Sequence, residues 1–293
     1  MTKELSDDPR TRYRTGGTDD DAQQQPGTTD ETDPTPDHGE ETYVGSGKLE
    51  GKRALITGGD SGIGRAVAIA YAREGADVAI VYLPEEEEDA KDTARLIEEA
   101  GRKAALFPGD AQDESFCGDV VKRTKDELGG IDILILNAAY QKNREGIESL
   151  ETEEFDRVFR TNIYSMLWFT REAAPMLKPG ASIIVTSSIQ AFNPKPQLID
   201  YAMTKAAQVA FTKALAQEMG PKGIRVNAVA PGPIWTPLIP ATGFDDTSEF
   251  GQDTPIGRAG QPAELAPAYV LLASAEASYI SGAVVPVTGG KGL

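Results

Sequence analysis

The sequence predicts an α/β fold in which a doubly wound, parallel, seven-stranded sheet forms a single domain behind an N-terminal polar arm. Two observations lead to this prediction. Seven short apolar runs alternate with amphipathic stretches, and several of the runs are almost continuous in Val, Ile, Leu and Ala. Continuous apolar runs are typical of parallel strands that helices cover on both faces, and their alternation with helices indicates βαβ units.

The predicted elements follow one another along residues 48–293, which we interpret as one catalytic domain because single α/β domains of this size are common. Strands are predicted over residues 53–57, 77–82, 103–107, 131–136, 181–187, 224–229 and 283–287. Helices are predicted over residues 63–74, 86–100, 113–128, 152–177, 199–219 and 262–273.

Residues 1–47 differ from the rest of the chain in composition, with 12 acidic residues, 4 basic residues and only six apolar ones. Such a segment buries too little apolar surface to offset its ordering entropy, so we expect a mobile or loosely packed arm. Its simplest interpretation is a solvated tail without a specific role.

Charge and residue counts exclude several classes of function. A net charge of −17 disfavours nucleic-acid binding, which needs Lys and Arg against phosphates. No run of 18 apolar residues exists, which predicts no membrane span, and the polar N-terminus predicts a cytoplasmic protein. Cys117 is the only cysteine and His38, in the arm, the only histidine, so no metal site is predicted. Acid–base chemistry must therefore use Tyr, Lys, Asp or Glu.

A glycine-rich turn, TGGDSGIGR, follows the first predicted strand. Gly58 permits a tight turn, Gly62 lets the backbone approach a pyrophosphate, and Gly64 lets the next helix pack on the strand. The N-terminus of that helix offers free amide donors and the positive end of the helix dipole. Because the turn lies at the first strand-to-helix junction, it predicts a dinucleotide-binding site.

Tyr201 and Lys205 are four residues apart near the start of a predicted helix, which places both on one face. A nearby ammonium favours the phenolate, so we expect Lys205 to lower the pKa of Tyr201 and to suit it to proton transfer. Such pairs are common on exposed helices, so the interpretation depends on neighbouring motifs. Ser188 ends the fifth predicted strand and Asn137 follows the fourth, at the edge where parallel sheets bind ligands.

These motifs occur in the order and spacing of a known family. Residues 49–293 resemble the classical short-chain dehydrogenases/reductases, with their Rossmann-type fold. Within that family the chain resembles the general-stress and glucose/ribitol-dehydrogenase-like branch. The resemblance is carried by TGGDSGIG at 57–64, NAA at 137–139, Asn162, Ser188, Tyr201 with Lys205, PGPIWT at 231–236, YLPEEEEDA at 82–90, VAPGPIWTPLIP at 229–240, residues 257–272 and the polar arm.

The resemblance implies a role for each matching residue. Tyr201 is expected to be the acid in reduction and the base in oxidation, and Ser188 to hydrogen-bond the substrate oxygen. Lys205 is expected to hold the nicotinamide ribose, and Asn162 to help hold a water for proton relay. The implied cofactor-binding residues are Gly58, Ser61, Gly62, Ile63, Gly64, Tyr82, Asp110, Ala111, Asn137, Ala138, Ala139, Tyr201, Lys205, Pro231, Gly232, Ile234 and Thr236.

The choice between NAD(H) and NADP(H) depends on the end of the second predicted strand. Tyr82 occupies that position, where an acid or a base would otherwise mark the ribose specificity. Arg65 favours a 2′-phosphate, whereas Asp60 and the carboxylates of residues 85–89, interpreted as a solvated helix start, disfavour it. We therefore expect NAD(H) to be preferred, with NADP(H) as the alternative cofactor.

The sequence thus predicts an NAD(P)-dependent oxidoreductase that transfers hydride between nicotinamide and a small carbonyl/alcohol pair of the sugar, polyol, aldehyde or ketone class. The alternative is a low-turnover NAD(P)-binding stress sensor or scaffold that uses the acidic arm. An enoyl-thioester reductase is disfavoured, because that subgroup has a wider Tyr–Lys spacing. The resemblance also implies a homotetramer.

Substrate specificity is expected in the loops at 190–198 and 233–257. The second loop carries Trp235, Phe244 and Phe250, whose positions fit a lid or the core equally well.

Overall fold

The computed structural model describes residues 5–13, 23–244 and 246–293. Within them, seven strands form one parallel sheet in the order β3–β2–β1–β4–β5–β6–β7. The strands are β1 (Arg53–Thr57), β2 (Asp77–Tyr82), β3 (Ala104–Pro108), β4 (Ile133–Leu136), β5 (Ser182–Thr186), β6 (Arg225–Pro231) and β7 (Val284–Val287). The predicted fold class is confirmed, and each predicted strand is present with ends shifted by at most two residues.

Helices cover both faces of the sheet. They are α1 (Gly62–Arg73), α2 (Glu87–Glu99), α3 (Glu114–Leu128), α4 (Thr152–Phe159), α5 (Ser165–Ala173), α6 (Ile199–Met219) and α7 (Ala266–Ala273). Side chains of α1, α2 and α7 form the core on one face, and those of α3 and α5 form it on the other. The strand order reverses between β1 and β4, which is where doubly wound sheets bind ligands.

The predicted helix over residues 152–177 is interrupted, which corrects that prediction. A π-helical turn, Arg160–Tyr164, separates α4 from α5, and α5 ends at Ala173, shortly before Pro175. The end of α5 is explained by Pro175, because proline lacks the backbone N–H that would continue the helix. The π turn was not predicted because it leaves the apolar pattern of the sequence nearly unchanged. The predicted helix over 262–273 likewise begins as a 3₁₀ turn and becomes α-helical only at α7.

The arm differs from the expected loosely packed tail. Where it is described, it lies against the domain, and His38 is 1% exposed. The contacts are mainly polar: Trp235 Nε1 donates to the Pro34 carbonyl (2.6 Å), and Arg73 donates to the Tyr43 carbonyl (2.6 Å). Composition indicates only how much apolar surface the arm can bury. It does not predict hydrogen bonds to the backbone of the arm. The domain boundary at residue 47 stays a prediction.

No helix among the described residues is long and apolar enough to cross a membrane. The same residues contain no cluster of three His, Cys, Asp or Glu side chains that could hold a metal ion.

Candidate active site

The carboxyl ends of the central strands open into a cavity of about 890 Å³. A cavity of this size at this edge suits a dinucleotide together with a small substrate. The predicted site residues line it, with the exceptions of Gly64 and Asn162, which pack behind its wall. The structure therefore brings together residues from positions 58 to 236 of the chain.

The glycine turn after β1 is shaped as a phosphate cradle. Gly58 and Gly62 have φ of +61° and +50°, in the left-handed region that favours glycine. A Cβ on Gly64 would lie 1.7 Å from the Gly58 carbonyl oxygen, and one on Gly62 would lie 3.2 Å from the Thr236 Cβ. Gly62 and Ile63, in the first turn of α1, line the same cavity. The turn therefore fits the pyrophosphate of a nicotinamide dinucleotide.

A hydrogen-bond network holds the neighbouring strand ends in place. The Thr57 hydroxyl accepts bonds from the backbone N–H of Asn137 (2.9 Å) and Ala138 (3.0 Å). Asn137 Nδ2 donates to the Gly58 carbonyl (2.9 Å), and the Thr186 hydroxyl donates to Asn137 Oδ1 (3.0 Å). Asn137 thus joins the ends of β1, β4 and β5, and it fixes the floor of the cavity beside the glycine turn.

Ser188, Tyr201 and Lys205 meet at the end of β5. Lys205, 1% exposed, donates from Nζ to the Thr186 carbonyl (2.7 Å), and its Nζ lies 5.2 Å from the centroid of the Tyr201 ring. Ser188, just after β5, lines the cavity beside Tyr201, and its hydroxyl lowers the pKa of Tyr201. Because α6 carries Tyr201 and Lys205 one turn apart, both face the cavity from the same helix.

The pKa of Tyr201 departs from the sequence-based expectation. Burial raises the pKa of Tyr201 to about 12, and this effect outweighs that of the Ser188 hydroxyl, which lowers the pKa. Burial also lowers the pKa of Lys205 to about 7. The prediction that Lys205 lowers the pKa of Tyr201 is therefore wrong for this arrangement, because the same burial disfavours both the phenolate and the ammonium.

Asn162 lies in the π turn between α4 and α5, and its side chain joins two elements. Its Oδ1 accepts from the Tyr140 N–H (2.8 Å), and its Nδ2 donates to the Tyr140 carbonyl (3.0 Å) and to the Thr204 hydroxyl (3.1 Å). The Asn162 carbonyl accepts a bond from Gln208 Nε2 (2.9 Å). Asn162 thus anchors the loop after β4 to α6, and its role toward a relay water stays a prediction.

Two carboxyl groups line the cavity near the end of β2. Asp60 is 1% exposed, and burial raises its pKa to about 7. Burial and then the charge of Asp60 raise the pKa of the half-buried Glu86 to about 8. The run at residues 85–89 is therefore more than a solvated helix start, because Asp89 is buried as well.

Arg65 does not face this part of the cavity. Its guanidinium pairs with Asp92 on α2 and lies 3.4 Å from Glu40 in the arm, from Nε to Oε1. Arg65 is also absent from the described residues that line the cavity. Of the opposing groups considered from the sequence, Asp60 and Glu86 line the cavity, whereas Arg65 pairs with carboxylates of α2 and the arm.

The loop after β6 divides its aromatic residues between core and cavity. Trp235 is 2% exposed and packs with Ile239 and Ala259. Phe244 and Phe250 pack against this cluster and line the cavity. Trp235 is therefore a core residue, whereas the two phenylalanines form part of the cavity wall.

One part of the cavity wall is not predicted from the sequence. Gln25, Pro26 and Gly27 of the arm line the same cavity as the glycine turn and Tyr201. Nothing local in the composition of the arm indicates this position, because it depends on contacts with residues more than a hundred positions away.

Fold and site together define a nicotinamide-dependent oxidoreductase. A family profile described as enoyl-(acyl carrier protein) reductase matches residues 58–291. The chain is 55% identical over 288 residues to the uncharacterized oxidoreductase YghA of Escherichia coli, with 98% of each chain covered. It is 53% identical to general stress protein 39 of Bacillus subtilis (91% and 93% covered) and 44% identical to the glucose and ribitol dehydrogenase of Daucus carota (91% and 94% covered).

Solved structures give the same result. A short-chain dehydrogenase from Burkholderia cenocepacia in complex with NADP superposes with a TM-score of 0.78 at 33% identity, covering 83% of this chain and 98% of that one. A 3-ketoacyl-(acyl-carrier-protein) reductase from Brucella melitensis complexed with NADH has a TM-score of 0.77 at 35% identity, covering 84% and 100%. The chain belongs to the short-chain dehydrogenase/reductase family. It is an oxidoreductase that transfers hydride between a nicotinamide cofactor and a carbonyl/alcohol pair.

Proposed function

We propose that this oxidoreductase prefers NAD(H) and acts on the hydroxyl and carbonyl groups of polyols and sugars. The observation that carries the proposal is the convergence of Ser188, Tyr201 and Lys205 in the same cavity as the glycine turn. Similarity to the carrot protein named glucose and ribitol dehydrogenase supports the substrate class. Polar side chains on the cavity wall, among them Gln141 and Gln190, suit a ligand with several hydroxyl groups.

In this proposal Ser188 and Tyr201 hydrogen-bond to the oxygen of the substrate. The nicotinamide supplies or accepts the hydride at the substrate carbon. In reduction the Tyr201 hydroxyl gives its proton to the substrate oxygen, and in oxidation Tyr201 takes the proton of the substrate hydroxyl. Lys205 holds the ribose hydroxyls next to Tyr201. The glycine turn holds the pyrophosphate, Asp110 and Ala111 the adenine, and the strand ends at Asn137 and Pro231 the remaining parts of the dinucleotide.

The pKa values make the two directions respond differently to pH. Tyr201, with a pKa raised by burial to about 12, keeps its proton at neutral pH and is ready to act as the acid in reduction. Oxidation requires Tyr201 without that proton. We therefore expect the rate of oxidation to rise with pH across the neutral and alkaline range.

The preference for NAD(H) follows from the charges beside β2. A 2′-phosphate would add negative charge near Asp60 and Glu86, whereas a free 2′-hydroxyl can donate a hydrogen bond to either carboxylate. Arg65, which would otherwise favour the phosphate, is held by Asp92 and Glu40.

We further propose a cytoplasmic homotetramer. Tyr164 and Leu167 expose apolar side chains on one long helical segment, and Ile199 and Met203 do so on α6, which packs beside it. Exposed apolar side chains on adjacent helices favour association through paired helices. The single, buried cysteine needs no oxidising compartment. Light scattering that gives a monomer mass would contradict the tetramer.

The test is turnover of a substrate panel. The purified protein is incubated with NAD⁺ or NADP⁺ and ribitol, sorbitol or glucose, and with NADH or NADPH and simple aldehydes, ketones and an enoyl thioester, while nicotinamide absorbance is followed. We expect polyol or sugar oxidation, with kcat/KM at least tenfold higher for NAD⁺ at pH 9, where Asp60 and Glu86 are ionised. Turnover of the enoyl thioester alone would overturn the substrate class. Nucleotide binding without any turnover would instead favour the sensor or scaffold.

A further inference from the structure

A short segment of the arm, residues 23–29, joins the two sides of the cavity. At one end the Gln23 N–H donates to the Pro240 carbonyl in the loop after β6 (3.3 Å). At the other end the Thr29 N–H donates to Asp89 Oδ2 in the first turn of α2 (2.8 Å). Residues 25–27, between these two attachments, line the cavity itself. The segment therefore runs past the cavity from the substrate side to the α2 side.

Gln25 makes the most direct connection within this segment. Its Nε2 donates to the carbonyl of Gln141 (2.6 Å) and to the carbonyl of Ala241 (3.0 Å). Gln141 belongs to the loop after β4, and Ala241 belongs to the loop after β6. A second bond, from Gln141 Nε2 to the Thr242 hydroxyl (2.8 Å), joins the same two loops. One side chain of the arm thus links the loop after β4 to the loop after β6, and both loops line the cavity.

Close packing accompanies these hydrogen bonds. A Cβ on Gly27 would lie 2.4 Å from the Pro237 carbonyl oxygen and 3.0 Å from the Ala241 Cβ. The same loop also reaches the glycine turn, where Thr236 lies close to Gly62. The arm therefore packs against a loop that also contacts the glycine turn through Thr236.

We propose that Gln25 is a positioning residue, which holds the loop at residues 236–242 over the nucleotide and so raises nucleotide affinity. The inference rests on the proposed function, because it requires a dinucleotide in this cavity. Without these bonds the loop spends less time in the position that binds nucleotide. The apparent affinity then falls in proportion to the fraction of molecules in that position. Chemistry at Tyr201 is unaffected once nucleotide is bound, since Gln25 makes no contact with Ser188, Tyr201 or Lys205 among the described hydrogen bonds.

The chain offers a matched control for this position. Gln24 is exposed, whereas Gln25 is half-buried, so Gln24→Ala removes the same side chain from the adjacent site. Gln25→Ala deletes both bonds. Gln25→Glu keeps the shape but replaces the donating amide with an acceptor, which faces the two carbonyl oxygens without a hydrogen to donate. The Ala and Glu variants therefore test the bonds and the side-chain volume separately.

The readouts are the Kd of NADH from fluorescence titration, hydrogen exchange at residues 239–242 without nucleotide, and steady-state kinetics. We expect Gln25→Ala and Gln25→Glu each to raise the Kd at least threefold and to accelerate exchange. The nucleotide KM should rise while kcat at saturating nucleotide stays within twofold. Gln24→Ala should match the wild-type protein in all three.

Unchanged Kd and unchanged exchange in both Gln25 variants would overturn the inference, and a fall in kcat without a change in Kd would also do so. Failure of the proposed function has a different result. In that case the wild-type protein itself would bind neither NADH nor NADPH.

Discussion

The two halves of the active-site cavity are built in different ways. The half around the glycine turn consists mainly of backbone at strand ends, where Gly64 leaves no room for a side chain and Gly58 and Gly62 adopt positive φ. The other half consists of the loops after β4 and β6 and an arm segment, which are held together by side-chain hydrogen bonds. One such bond links Gln25 to Ala241, 216 residues away. Backbone conformation and bonds between adjacent strand ends shape the first half, whereas bonds between segments far apart in the sequence shape the second. Substitutions in the two halves should therefore fail differently.

The largest effect is expected at Tyr201, where the two halves meet. Tyr201→Phe removes one hydroxyl, and kcat should fall by about 10²–10⁴, the usual contribution of a positioned acid–base group. The Kd of the nucleotide should stay within about twofold, because the proposed role of the hydroxyl is toward the substrate. Tyr279→Phe is the control, since Tyr279 is fully exposed. A variant at position 201 with more than half of the wild-type kcat would contradict the assignment.

The next effect tests the half around the glycine turn. Gly64→Ala should lower Tm by about 2–12 °C, from an overpacking cost of about 1–3 kcal/mol. Nucleotide affinity should fall as well, because the clash is with the Gly58 carbonyl in the cradle. Gly220→Ala is the matched change: its Cβ would meet nothing within 4 Å, and φ there is −53°. Differential scanning fluorimetry that gives equal Tm for both variants would refute the steric account.

A smaller effect is expected on cofactor choice, and it depends on pH. Asp60 and Glu86, with pKa values raised to about 7 and about 8, are largely neutral at pH 6 and ionised at pH 9. Repulsion of a 2′-phosphate is therefore weakest in acid, and the ratio of kcat/KM for NAD⁺ over NADP⁺ should increase several-fold between these two pH values.

Glu86→Gln should flatten this increase. Glu88→Gln, which changes an exposed carboxylate in the first turn of α2, should leave it in place. A ratio that falls with pH in the wild-type protein would contradict the role of these carboxylates.

The smallest effect concerns the attachment of the arm. Trp235→Phe removes the bond to the Pro34 carbonyl (2.6 Å) and should cost about 1 kcal/mol, or about 2–4 °C in Tm, beyond the effect of the smaller ring. Trp168→Phe provides the comparison, because Trp168 is also buried and stacks on Tyr164 through its ring. Equal losses in the two variants would show that the bond to the arm contributes nothing.

Local patterns account for the features that were predicted well. The helix α6 begins and ends at the predicted residues, and β1 and β2 do as well. Apolar runs, a glycine turn and a Tyr-x-x-x-Lys spacing each depend on neighbours within a few residues, so the amino-acid order contains them. The break at the π turn Arg160–Tyr164 was not predicted, because no local pattern in the sequence marks it. An apolar pattern that continues through one extra residue looks like an unbroken helix.

The sequence by itself determined the α/β class, the strand positions, the phosphate cradle and the identity of the groups that meet at the end of β5. Only the tertiary structure decided the direction of the Tyr201 pKa, the orientation of Arg65 away from the cavity and the position of Gln25 in its wall. The physical reason is range. Backbone conformation and side-chain periodicity are properties of short segments, whereas burial and hydrogen bonding between distant segments exist only after the whole chain has packed.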